Sequence, residues 1–148
     1  IPRDAVYDRD VTKFSLDEIA GSLCRLSVIG IIEKITLFMD VTYVNPEESS
    51  GLLWDYPDLP EKISILSSNS NGETSQLFND KKHSFFTYSL LKGLSGNADD
   101  GNNIIDLGEV TEYVYKSVPE NIRNQPGSLR QNPKFNGLDL KRVLLDLR

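Results

Sequence analysis

Apolar positions recur along the chain in two rhythms, and the switches between them mark out the elements. In "FSLDEIAGSLCRL" Leu16, Ile19, Leu23 and Leu26 fall at the three- and four-residue spacing of one helical face. Ser15 and Glu18 stand in the S-x-x-E arrangement of a capping box, and Phe14 and Ile19 in that of a hydrophobic staple, so the pattern predicts a helix over about 16–27. After Gly30, "KITLFMDV" is a short continuous apolar run, the pattern of a strand covered on both faces, and "KISILSS" repeats it. Between them "NPEESSGLLWDYPDLP" carries three prolines with glycine, serine and acidic residues and holds no period, which predicts a long loop over 45–60. "HSFFTYSLLKGL" returns to helical spacing at Phe85, Phe86, Leu90 and Leu91 and stops at Gly93, predicting a helix over about 84–92. Beyond the turn-rich "SGNADDGNNIID", the stretch "DLGEVTEYVYKSV" reads as a helix capped by Asp106 and Glu109 and ended by Pro119. The tail over 120–148 reads as loop with one or two short extended runs.

Helices alternating with buried strands predict an α/β domain over 1–148, with a mostly parallel sheet and helices on both faces. In open sheets of that kind a site lies at the carboxyl ends of the strands. Asp40 and Thr42, placed where the first apolar run stops, and the loop from Ser67 to Gln76 are therefore expected to share one edge.

Composition narrows the function classes. With 148 residues, 39% of them apolar and 26% charged, the chain has the make-up of one soluble globular domain. The net charge is −6 and the basic residues are scattered, so no stripe of Lys and Arg points to nucleic acid. No run approaches the roughly 18 apolar residues of a membrane span, and "IPRDAVYDRD" lacks the layout of a signal peptide. Cys24 is the single cysteine, which excludes an internal disulfide and a cysteine-based metal cage and fits a reducing, cytoplasmic setting. Inside the helical pattern it reads as a small buried filler. The start on Ile-Pro, without Met, leads us to expect that something precedes Ile1.

Several stretches, taken in order, resemble the caspase-like cysteine peptidases, in particular their bacterial members and the metacaspases. "IPRDAVYD…FSLDEIAGSL" resembles their "L-I-P-x-D-A" segment and "S-L-x-E-L" helix, and "ITLFMDVTY" their strand ending in Asp-x-Cys. "ISILSSNSNGETSQ" resembles the strand and loop reading "A-S-S-x-x-Q-x-S", "HSFFTYSLLKGLSGNADDGNN" the helix and loop that follow, and "RQNPKFNG" the Gln-x-Pro stretch near the domain's end. The resemblance implies a three-layer caspase-hemoglobinase fold, of which the chain would be the C-terminal portion with the first strands upstream of Ile1. It also implies a cysteine endopeptidase mechanism, in which a thiolate at one strand end works with a histidine from the neighbouring strand. At the nucleophile position stands Thr42, whose hydroxyl is a far weaker acid than a thiol of pKa about 8.5. The family's histidine comes from a "S-G-H-G"-like turn that lies ahead of Ile1, and the only histidine present, His83, matches a different position and reads as structural. Asp40 keeps the place of an Asp that helps line a pocket for Arg or Lys. With it the resemblance assigns Ser67, Asn71 and Glu73 to the substrate pocket, the last two standing where relatives carry Asp and Gln. A plain alternative for Asp40 is capping of the adjacent loop through backbone N–H groups.

"ADDGNNIIDLGE" invites comparison with the calcium loop D-x-[DN]-x-[DN]-G-x5-E. Counting back from Glu109 as last ligand puts Asp106 ninth, Asn102 fifth, Asp100 third and Ala98 first, with Asn103 in place of the glycine. Calcium wants six to eight oxygens, so losing the first Asp favours a turn without metal, and no cofactor is expected. The expectations are then three: a catalytically degenerate caspase-like domain that binds a protein or peptide, such as a homologous domain or its own N-terminal half; a fragment of an active endopeptidase whose histidine lies upstream; and a calcium-binding regulatory module.

Overall fold

The computed structural model describes residues 16–29, 32–41, 60–70, 72–125, 127 and 130–148. The capping box at Ser15, the staple at Phe14, Thr42, Asn71 and nearly all of the 45–60 loop lie outside them. The elements are α1 (Leu16–Val28), β1 (Ile35–Met39), β2 (Ile63–Ser67), β3 (Leu77–Phe78), β4 (His83–Ser84), α2 (Phe85–Lys92), β5 (Ile104–Asp106), α3 (Leu107–Arg123), β6 (Lys134–Asn136) and β7 (Val143–Asp146).

Strand β2 is the centre of the molecule, and every one of its residues is buried. It pairs in parallel with β1, Ile35 opposite Ile63 through Met39 opposite Ser67, and antiparallel with β6 on its other side. Alternation along the pair sends side chains to two cores. Ile63 and Ile65 meet Leu23 of α1 and Met39, with Ile19, Ile35 and Leu37 around them. Leu66 faces the other way into Phe85, Phe86 and Leu90 of α2 and Val110, Val114, Val118 and Ile122 of α3, joined by Phe38 and Phe135. One helix thus covers one face of the sheet and two helices cover the other. Each buried Ile, Leu or Phe contributes about 1.5–3 kcal/mol.

Helix α3 shows how packing overrides propensity. Its Val110, Val114 and Val118 are β-branched and poor helix formers, yet they line up at four-residue intervals and are fully buried. The start is the capping box read from sequence: Asp106 Oδ1 accepts the Glu109 N–H at 2.9 Å and Glu109 Oε2 accepts the Asp106 N–H at 2.8 Å.

Four expectations need correction. The described strands form a mixed α/β arrangement, with one parallel pair and three antiparallel ones, because the segment after α3 brings β6 back beside β2 and β7 back beside β5 running in the opposite direction. Pro119 does not end α3, which runs on to Arg123. Proline removes one helical hydrogen bond near the end, and Ile122, 6% exposed, holds the last turn against the core. α2 ends at Lys92 with Gly93 as its C-cap, as expected, but Gly93 keeps helical angles and the chain makes a wider turn through Asn97, where the left-handed residue is Gly96 at φ 106°. A Cβ on Gly93 would sit 3.2 Å from the Tyr113 ring, so the glycine is there to let α2 and α3 approach. On α1, Leu26 is 40% exposed and Ser27 is buried instead, its hydroxyl donating to the Cys24 carbonyl at 2.8 Å.

Gly137, just after β6, is the tightest contact of the sheet. A Cβ there would lie 2.5 Å from Ser64 Oγ and 2.9 Å from Ser64 Cα, and backbone cannot yield as a side chain can. Gly137→Ala is expected to cost about 1–3 kcal/mol, read as a lower urea midpoint with an unchanged slope.

Candidate functional site

Because β1 and β2 are parallel and in register, they end side by side at Met39 and Ser67, and the chain beyond each forms one edge. That edge is built from polar groups that are themselves buried. Ser68, Asn69 and Gln131 are at most 1% exposed, so each needs partners to offset its desolvation. The Ser68 N–H donates to the Met39 carbonyl at 2.8 Å, and its hydroxyl accepts the Val41 N–H at 3.2 Å, which ties the two strand ends together. The Ser68 hydroxyl also lies 2.6 Å from Asn69 Oδ1, and Asn69 Nδ2 donates to the Glu73 carbonyl at 2.6 Å, folding the loop after β2 back on itself. Gln131 donates from Nε2 to the Ser68 carbonyl at 2.8 Å and accepts the Gln76 N–H at 3.0 Å.

Asp40 stands on this base. Its Oδ1 accepts from Ser75 Oγ at 2.5 Å, and its Oδ2 accepts from Thr87 Oγ1 at 2.5 Å and from Ser84 Oγ. Ser84 is the N-cap of α2 and itself accepts the Thr87 N–H at 2.9 Å. A carboxylate has about four acceptor sites, so three hydroxyl donors leave one on Oδ1. The side chain is exposed and lies at a helix N-terminus, where negative charge is stabilised. Asp40 is therefore a fixed acceptor facing solvent. The alternative of loop capping through backbone N–H groups is not what these contacts show; hydroxyls hold it.

The other expected pocket residues have structural duties. Ser67 is fully buried and its hydroxyl donates to the Lys134 carbonyl at 3.1 Å, joining β2 to β6, so it faces the interior and not an opening. Glu73 is turned inward as well: Oε2 accepts the Asn132 N–H at 2.6 Å and the Ser70 N–H at 3.3 Å, and Oε1 accepts from Asn132 Nδ2 at 2.5 Å. Arg130 Nε lies 3.8 Å away, and Ser70 Oγ completes the clamp by donating to the Asn132 carbonyl. Neither Ser67 nor Glu73 offers a free group to a ligand. His83 neighbours Ser84 on β4, and consecutive strand residues point to opposite faces. Ser84 faces Asp40; His83 is exposed and lines a shallow groove with Lys81, Tyr88, Leu91 and Lys92.

The loop compared with a calcium site brings together only part of its expected ligands. Among the described residues, carboxylate oxygens of Asp99, Asp100 and Glu109 come within 4.8 Å of one another. Asp99 went unrecognised: its Oδ1 accepts the N–H groups of Gly101, Asn102 and Asn103 at 3.0–3.1 Å. Asn102 Oδ1 accepts the Ile104 N–H, Glu109 Oε1 accepts the Asp100 N–H, and Asp106 caps α3 and pairs with Lys141 at 3.2 Å. Asn103 takes φ 62°, the left-handed turn expected of it. These oxygens close the turn, and the acidic cluster alone does not indicate an ion.

In comparison with known proteins, no family model matches the chain, and neither a curated protein nor a solved structure does. Among the described residues no helix is long and apolar enough to cross a membrane.

Sequence reading missed Ser84, Thr87, Ser68, Asn69, Gln131 and Asn132. Ser84 had a signal, a serine placed to cap "FFTYSLL"; the others are ordinary polar residues that long-range contacts recruit. The clamp yields a test. Glu73→Ala removes the acceptor for two backbone amides and one side-chain amide and is expected to cost about 2–3 kcal/mol, measured by chemical denaturation, with faster hydrogen exchange at Asn132.

Proposed function

We propose that the chain is a caspase-like domain, of the three-layer caspase-hemoglobinase kind, that binds a protein or peptide segment and does not hydrolyse it. The observation that carries this reading is Asp40. It stands at the carboxyl end of the first strand of a parallel pair, held by Ser75, Ser84 and Thr87 with one acceptor site open, and faces solvent. That arrangement suits a cationic side chain or a peptide N–H. It does not suit general-base work, for which the resemblance requires an imidazole beside the nucleophile. The sequence has one imidazole, His83, and it belongs to another groove.

Thr42 follows two residues after Asp40 at the position where the resemblance requires the attacking thiol. A threonine hydroxyl is a far weaker acid than a thiol and attacks only where a dedicated base is built for it. The function assigned is capture: a segment carrying Arg or Lys, from a partner protein or a homologous domain, laid over the edge where β1 and β2 end. Half-buried Cys24, the only cysteine, suits a reducing compartment such as the cytoplasm.

The test has two arms. Peptide reporters with Arg, Lys or Asp before the scissile bond are expected to remain uncleaved by the protein and by Thr42→Ala alike; cleavage abolished by Thr42→Ala would overturn the reading. In the second arm, Arg- and Lys-containing peptides are titrated by fluorescence anisotropy. Asp40→Asn is expected to weaken their binding roughly tenfold, the loss of one charge-assisted contact, and equal binding by both forms would count against Asp40 as the anchor.

A further inference from the structure

A shallow groove of about 340 Å³ runs along α2, lined by Lys81, His83, Tyr88, Leu91, Lys92 and Ser95. It shares no lining residue with the contacts of Asp40. Its floor is anchored in the core. Phe85, 2% exposed, stacks on Phe78 with ring centres 4.6 Å apart, and Phe78 meets the Tyr88 ring edge-on at 5.2 Å. That ladder of rings fixes Tyr88, so the floor is formed before anything enters. Leu91, three residues on and 47% exposed, continues the apolar surface. The rim, by contrast, is cationic. Lys81 holds Nζ 5.8 Å from the Tyr88 ring centre, within cation–π reach, and Lys92 stands four residues after Tyr88. From Leu77 to Ala98 the chain carries three lysines and a histidine against one carboxylate, Asp80, although its net charge is −6. Among the described residues no carboxylate lines the groove, and none of Lys81, Lys82 and Lys92 is in an ion pair. Asp99, beyond the groove's end at Ser95, spends its Oδ1 on the N–H groups of its own turn.

We propose that this groove binds a short acidic segment of a partner protein, an apolar side chain of the segment lying on Tyr88 and Leu91 and its carboxylates meeting Lys81 and Lys92. Charge complementarity sets the sign of the occupant. Unpaired ammonium groups on a chain of net charge −6 form a local island, felt over a Debye length of about 8 Å at physiological salt. Magnitude decides the rest. An exposed ion pair shifts an equilibrium by about fivefold at most, so two lysines alone do not hold a ligand. The apolar floor must be covered as well, and the occupant therefore carries both kinds of group. A nucleic acid or an anionic membrane presents its charge as an extended array, which the remainder of an acidic chain repels. A segment with a few carboxylates reaches only the groove. This site is independent of the Asp40 edge, which suits the opposite charge.

The probe is a fluorescein-labelled peptide with a leucine between two pairs of glutamates, titrated with the full chain and read by fluorescence anisotropy. Saturable binding is expected with a Kd below about 1 mM, lost when the glutamates become glutamines and weakened when the leucine becomes serine. Lys92→Gln is expected to weaken binding about fivefold, and Lys81→Glu with Lys92→Glu to abolish it. Lys116→Gln, which removes an exposed lysine on α3 paired with Glu112, is expected to leave binding unchanged. The proposal is overturned if the wild-type chain does not bind the peptide, if the double variant binds it equally, or if Lys116→Gln weakens it as much as Lys92→Gln does. It is also overturned if phosphatidylserine vesicles or an oligothymidine bind through Lys81 and Lys92 more tightly than the peptide. Should circular dichroism find the double variant unfolded, Lys81→Gln with Lys92→Gln takes its place with the same outcomes.

Discussion

The complete burial of β2 is the constraint on which the rest of the structure depends. A strand with helices over both faces and neighbours on both edges has its own backbone satisfied by pairing, but the chain must leave the interior somewhere. Here it leaves late: Ser68 and Asn69, after the strand has ended, are still 0% exposed. A buried amide or hydroxyl without a partner costs about 1–3 kcal/mol, so the exit is supplied with partners from far along the chain. Gln131 and Asn132 come in from beside β6 for this purpose, and that is why the loop after β2 and the segment before β6 form one unit.

The same requirement explains why the edge above the strands is a firm platform. Ser68 links Val41 to the end of β2, and Asp40, one residue before Val41, is set against the start of α2. Strand end, loop and helix start thus converge on one carboxylate. Ion pairs add little to this: among the described residues those between Lys116 and Glu112 and between Arg148 and Asp146 are exposed on both sides. In Glu112 and Asp146 the partner's hydrogen bond holds the carboxyl below its usual range, but both side chains are exposed to solvent. The carboxylates that matter for shape bind N–H and O–H groups: Glu73 clamps, Asp99 and Glu109 close a turn, and Asp106 starts a helix.

Much of the local structure was legible in the sequence. Helical periodicity located α1, α2 and α3 within a few residues, since an apolar stripe at 3.6-residue spacing has few other ways to be buried, and the Asp106 and Glu109 cap was readable because both partners are three residues apart. Continuous apolar runs located β1 and β2. The two-residue strands β3 and β4 and the short β5 carried no pattern long enough to see. Of the expected site residues, Asp40 was legible because a charge ending a buried run is conspicuous; whether Ser67 and Glu73 faced in or out was not.

The sequence by itself therefore determined where the three helices and the strands β1 and β2 lie, that β2 is buried, and that Asp40 lies where β1 stops, because those properties follow from spacing within a dozen residues. Only the tertiary structure decided that β6 returns antiparallel beside β2, that α3 continues through Pro119, and that Glu73 and Ser67 are spent on internal contacts while Asp40 is turned outward. Those outcomes depend on partners about 60 residues away in sequence, such as Asn132 for Glu73 and Lys134 for Ser67. No local pattern encodes such a pairing, because a hydroxyl or carboxylate bonds to whichever partner the packing of the core brings within reach.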